Sequence, residues 1–211
     1  MHHQLNQLSV EGNVAKKYEL EFERVRDLIR DEGKAVISVF RDRDEFGNNN
    51  GSVIGYVHEN KVPAKIMLLQ NKTYTHRDIL VALLHEYGHV LDYEQYSKCK
   101  RWGLMKEFGT YNDAAIYAAP QMPKYAKEAL IKTEYLADVR ALRLINKYNV
   151  CITPAAYVCE AIVGINIRKW ELMRGKLLTK GRVRSWRARY RVVTPAFTNI
   201  VYKDLEPFSL L

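Results

Sequence analysis

The sequence predicts an α+β fold: a small, mostly antiparallel sheet packed against a helix that carries His85 and His89, followed by a mainly helical C-terminal half. Three observations point there. Apolar residues recur at helical spacing near the N-terminus, three short runs of β-branched and aliphatic residues follow between residues 35 and 69, and long helical patterns return from about residue 76.

The first helix is set by Val14, Tyr18, Phe22, Val25, Leu28 and Ile29, spaced amid charged residues, and Asp31-Glu32-Gly33 ends it. The strand-like runs are Ala35–Phe40, Ser52–Val57 and Ala64–Leu69. Gly47-Asn48-Asn49-Asn50-Gly51 is a turn-rich connection between the first two, and Glu59–Pro63 separates the second from the third. Thr75 is a suitable N-cap, with Asp78 three residues on as a variant capping box. The helix it opens is expected to reach about Tyr96. A less regular stretch containing Gly103, Gly109, Pro120 and Pro123 follows, then a long helix over Tyr125–Tyr148, stopped before Pro154, and another from Ala155 to about Arg174. There is no internal repeat.

A chain of 211 residues can bury one substantial core, and its 47% hydrophobic and 27% charged content is that of an ordinary globular protein. We expect residues 1–150 to form that core, with 151–211 a helical, basic extension packed on the same domain. No run of about 18 apolar residues offers a membrane span, and no apolar segment follows Met1, so a soluble, cytoplasmic protein is expected. Cys99, Cys151 and Cys159 are odd in number and form no Cys-x-x-Cys pair, which argues against a disulfide framework or a thiolate zinc site and for reduced, mostly buried thiols.

The net charge of +9 is local. Between Arg168 and Arg191 there are ten Lys or Arg against one acid, Glu171, and the rest of the chain is balanced. Within this stretch Arg182, Arg184, Trp186, Arg187, Arg189 and Arg191 interleave an aromatic with arginines, a pattern found in nucleic-acid contacts and equally in a strand with one basic face. Nucleic acid or an acidic protein is the partner it would suit, and a merely solvating surface weighs as much.

The chemistry concentrates in His85-Glu86-Tyr87-Gly88-His89. Residues four apart on a helix lie about 40° apart in azimuth and about 6 Å along the axis, so two imidazoles can reach one ion. Glu86, one residue past the first histidine, can take a proton from water at the metal without binding the metal itself. Zinc needs a third protein ligand and an open position. No histidine follows His89, and His2, His3, His58 and His76 have no fitting spacing, which leaves a carboxylate. Glu134 stands out because, on the helix from Tyr125, it shares a stripe with Leu130, Ala137, Asp138, Ala141 and Ile145. Two carboxylates on an apolar face each need a cation or a donor, a need met by Glu134 as ligand and Asp138 as acceptor for a ligand histidine.

With His85-Glu86-x-x-His89 and Glu134-x-x-x-Asp138 in place, the sequence resembles the gluzincin metallopeptidases. The helix-sheet-helix order ahead of the motif, Gly88, and the Glu134-x-x-Ala137-Asp138 pattern are most similar to ImmA/IrrE-type and minimal gluzincins, among them many phage-encoded members acting in a host cell or virion. The resemblance spans roughly residues 14–150 and implies an insertion around Lys98–Pro123. It implies a zinc-dependent endopeptidase that hydrolyses a specific protein substrate, with Glu86 as general base. It further implies an oxyanion stabiliser, for which Tyr111, Tyr117, Tyr157 and Arg140 are the candidates, and an extended substrate pairing with a sheet edge such as Ala64–Leu69.

Plainer readings stand beside these. A chance motif would make His85 and His89 ordinary core residues, and the helical context with the Glu134/Asp138 pair weighs against that. Asp92, one turn past His89, reads as a surface helix residue rather than one that orients a ligand. Trp102, Trp170 and Trp186 read as packing or surface residues. The alternative function is a non-catalytic zinc-fold protein that binds nucleic acid or an acidic partner through its basic C-terminal segment; an intact Glu86 favours the peptidase, because a scaffold needs ligands but no base.

Overall fold

The computed structural model describes residues 2–40, 55–57, 63–69, 75–107 and 121–176. In order these form α1 (His2–Asp31), β1 (Ala35–Phe40), β2 (Gly55–Val57), β3 (Ala64–Leu69), α2 (His76–Tyr96), α3 (Lys100–Glu107), α4 (Lys124–Lys147) and α5 (Pro154–Arg174). None of the described helices is long and apolar enough to cross a membrane.

The strands pair in the order β1-β3-β2. β1 and β3 run parallel over six residues, from Ala35 opposite Ala64 to Phe40 opposite Leu69, and β2 pairs with β3 antiparallel over three. The expected mostly antiparallel sheet is therefore corrected: its longer pairing is parallel. The reason is topological. The chain after β1 does not fold straight back on it; β2 lies on the far side of β3, and the connection brings β3 in beside β1 in the same direction. β3 thus has neighbours on both sides, and the expectation that Ala64–Leu69 offers an open edge to a substrate is overturned as well.

Two further expectations change. The stretch after Tyr96 contains α3 despite Gly103 at its middle, because Trp102 is buried and the turn opens with the Cys99 amide donating to the Tyr96 carbonyl. Pro154 does not merely stop the preceding helix. It opens α5 as its first residue, where its missing N–H is not needed, behind the N-cap Thr153, whose hydroxyl accepts from the Ala156 amide at 3.2 Å. Cys99, Cys151 and Cys159 form no disulfide and are half-buried rather than mostly buried.

The chain forms two compact units, one of Met1–Gln95 with Val139–Cys151 and the other of Tyr96–Asp138 with Ile152–Leu211. The unit that holds α2 therefore leaves out residues 96–138 and closes at Cys151. α4 is one unbroken helix whose last part, from Val139, belongs to it. Its core takes Phe22, Val25 and Ile29 from α1, Ile66 and Leu68 from β3, Leu80, Leu83, Leu84 and Tyr87 from α2, and Ala141, Leu144 and Ile145 from α4, all of them buried. The other unit buries Trp102, Leu130 and Ala137 with Tyr157, Val158, Ile162 and Leu172 of α5.

Candidate metal centre

α2 begins at a reciprocal cap. The Thr75 amide donates to Asp78 Oδ2 at 2.9 Å and the Asp78 amide to Thr75 Oγ1 at 3.3 Å, so two otherwise orphaned N–H groups are satisfied and the helix is fully formed before its third turn. The third and fourth turns carry His85, Glu86 and His89. Glu86 and His89 are buried and His85 is half-buried, which gives the group one approachable side.

The histidines meet through their outer nitrogens. His85 Nε2 and His89 Nε2 stand 3.1 Å apart, with ring centroids 4.7 Å apart and ring planes at 88°. Two imidazole lone pairs facing each other at this distance repel unless a proton or a cation lies between them. Two nitrogens bound to one zinc at about 2.0–2.1 Å in tetrahedral geometry are separated by about 3.3 Å. The spacing of the pair thus fits a shared divalent ion. Among the described residues, the group whose ligand atoms lie close enough to hold a metal is His85, Glu86 and His89, all within 4.8 Å of one another.

Two connections hold this stretch of α2 in its unit. The first was not foreseen. Glu32, just past the end of α1, accepts hydrogen bonds from Tyr87 at 2.5 Å and Tyr148 at 2.6 Å, and pairs with Lys147. Gly33 makes the placement possible: at φ 68° it takes the left-handed conformation that ends α1 and turns the chain into β1. Burial alone would raise the Glu32 pKa, but the bonds from Lys147, Tyr148 and Tyr87 outweigh it and hold the carboxyl at about 2. The phenol of Tyr87 is pushed up, first by burial and then by its bond to the Glu32 carboxylate. Only the helix-ending cluster Asp31-Glu32-Gly33 hinted at this residue, and a cluster of that kind does not identify a tertiary partner.

The second connection is Asp92 with Arg140. Asp92 is not on the surface as expected; its side chain is 0% exposed and lies 2.9 Å from the Arg140 guanidinium, itself 11% exposed. A carboxylate at that depth needs a cation, and Arg140 from α4 supplies it. Arg140, expected as an oxyanion candidate, is thereby engaged as the charge partner of Asp92.

Glu134 and Asp138 stand one turn apart on α4, in the part of the helix that belongs to the other unit. The stripe read from the sequence is present: Leu130, Ala137, Asp138, Ala141 and Ile145 are buried and Glu134 is half-buried. Asp138 Oδ1 accepts from the Tyr157 hydroxyl of α5 at 2.8 Å. Tyr157 is 1% exposed, so this candidate oxyanion donor already gives its proton to a buried carboxylate. Next to Glu134, the buried Thr133 hydroxyl accepts from Arg101 at 2.8 Å and donates to the Ala129 carbonyl at 2.9 Å. Tyr111, Tyr117 and the basic residues Arg182, Arg184, Trp186, Arg187, Arg189 and Arg191 lie outside the described residues.

Comparison with protein-family models, with curated proteins and with solved structures finds no match to this chain, so the reading of the site rests on its own residues and geometry.

Proposed function

We propose that this protein is a zinc-dependent peptidase of gluzincin type, with His85, His89 and Glu134 as metal ligands and Glu86 as general base. The observation that carries the reading is the convergence of the His85 and His89 Nε2 atoms at 3.1 Å beside the buried Glu86 carboxylate. A zinc ion held by these side chains would supply Lewis acidity, polarising a peptide carbonyl and acidifying a water molecule. Glu86 takes the proton of the attacking water and delivers it to the departing amine nitrogen. His85 and His89 each present Nε2. Glu134 contributes the carboxylate that the absence of any later histidine requires, and Asp138, held by Tyr157, is the acceptor set to orient a ligand ring. Because Arg140 is engaged by Asp92 and Tyr157 by Asp138, Tyr111 and Tyr117 are the remaining oxyanion candidates.

The test is metal content by elemental analysis of protein purified without added metal, wild type beside Glu134→Ala, followed by Glu86→Gln in a peptidase assay. About one zinc per chain in the wild type, sharply reduced in Glu134→Ala, supports the ligand set. Glu86→Gln should keep zinc and lose cleavage by about 100-fold or more. A wild type that neither contains nor takes up zinc overturns the reading. Zinc without any cleavage that depends on Glu86 would favour the scaffold alternative.

A further inference from the structure

We propose that Asp92 and Arg140 are positioning residues of the metal site: a buried ion pair that sets the register of α4 on the helix bearing the two histidines. This rests on the reading of His85 and His89 as metal ligands.

The pair is 2.9 Å apart, with the Asp92 side chain fully buried and the Arg140 side chain nearly so. Burying two charges is costly, and two well-packed apolar side chains would hold the same helices together at least as well. What an ion pair adds is direction: a buried carboxylate is stable only where a cation stands beside it, whereas apolar surfaces slide.

Its place in the fold gives that direction a use. Asp92 is three residues past His89, on the same side of α2, so a shift of Asp92 is transmitted to the ligand one turn away. On α4, Arg140 follows Glu134 by six residues, about 9 Å along one unbroken helix. A single contact would let α4 pivot, but there is a second. Tyr87 of α2 and Tyr148, next to the last residue of α4, both donate to Glu32. The two attachments lie about 7.5 Å apart along α2 and about 12 Å apart along the α4 end. Together they define both the axial position and the rotation of one helix on the other, and the Asp92–Arg140 contact is the one nearer to Glu134 in sequence.

The experiment compares zinc affinity, by competition with a chromophoric chelator, with the urea stability of the metal-free chain. The variants are Asp92→Asn, Arg140→Met, Arg140→Lys and the double variant Asp92→Leu/Arg140→Met. Asp92→Asn and Arg140→Met should each lose about tenfold or more in zinc affinity. Arg140→Lys, which keeps the cation, should return to within about threefold of wild type. The double variant should recover the stability of the metal-free chain, as paired apolar side chains replace paired charges, and yet remain weak for zinc. Full recovery of zinc affinity in the double variant, or wild-type affinity in Asp92→Asn, overturns the proposal by showing that the pair only holds the fold. Asp92→Asn is isosteric and keeps the comparison decisive should Arg140→Met not fold. If the wild type binds no zinc, the metal reading itself fails and takes this one with it; a zinc-binding wild type with indifferent variants sinks this one alone.

Discussion

Tyr87, set between Glu86 and Gly88 in the middle of the His85–His89 motif, donates its hydroxyl hydrogen to Glu32 at 2.5 Å. The motif therefore has a partner at the end of the first helix, more than fifty residues earlier in the chain. Glu32 gathers Tyr87, Tyr148 and Lys147, joining α2 and the end of α4 through one carboxylate.

A carboxyl held at about 2 when folded and about 4.5 when unfolded favours the folded state only while it is ionised. Its contribution is complete above about pH 4.5 and is lost as the pH falls toward 2. Urea unfolding of wild type and Glu32→Gln across this window should show the wild-type advantage shrinking by on the order of 1–2 kcal/mol, the linkage value discounted for the solvent that reaches the carboxylate. Tyr87 and Tyr148 have their phenols pushed upward and remain donors throughout. A difference between the two proteins that does not change with pH would remove Glu32 as the cause.

Tyr157→Phe deletes one oxygen and leaves the ring volume in place. The Asp138 carboxylate, 7% exposed, then loses a donor 2.8 Å away. We expect a loss of about 1–3 kcal/mol in unfolding free energy, because a buried charged acceptor deprived of its partner is penalised more than a neutral one. A change under about 0.5 kcal/mol would mean that water takes the place of the phenol.

Chelation should lower the melting temperature if the His85/His89 pair holds zinc in the native state only. At free zinc about 100-fold above the dissociation constant the ion contributes about 2.7 kcal/mol, which corresponds to several degrees for a chain of this size. Melting curves with and without a strong chelator, repeated on His89→Ala, check this. The variant should melt at one temperature under both conditions.

Much of this was legible in the sequence, for reasons that differ by element. Ala35–Phe40 and Ala64–Leu69 form strands with those bounds because short aliphatic runs bordered by turn residues have few alternatives. α2 starts after Thr75 because the cap and its partner are three residues apart, and the two histidines share a face because helical spacing requires it. The direction of strand pairing was not legible. It depends on where the chain between strands travels, and the turn-rich Gly47–Gly51 segment suggested a simple reversal that the strand order does not follow. Nor was the depth of Asp92, since a carboxylate one turn past a ligand is buried only when a distant residue brings it a cation. Glu32 was hidden for the same reason: its donors at residues 87, 147 and 148 are far away in sequence.

The unit that contains α2 is assembled from two separate lengths of chain, Met1–Gln95 and Val139–Cys151, and this has a kinetic consequence. Arg24 donates to the Tyr148 carbonyl at 2.9 Å and the Cys151 amide donates to Glu21 at 2.8 Å, contacts between residues 124 and 130 positions apart. A nascent chain that has emerged only as far as residue 138 already holds the whole His85–His89 motif, yet it lacks Arg140, Tyr148 and Val150, which close the core around it. The long loop must be closed before those contacts repay its entropy, so folding of this unit should be slow for its size. Ribosome-stalled chains lengthened past Cys151 should gain protease resistance in the α2 region in one step. The helix bearing His85 and His89 would thus mature only after the chain has been made through residue 151.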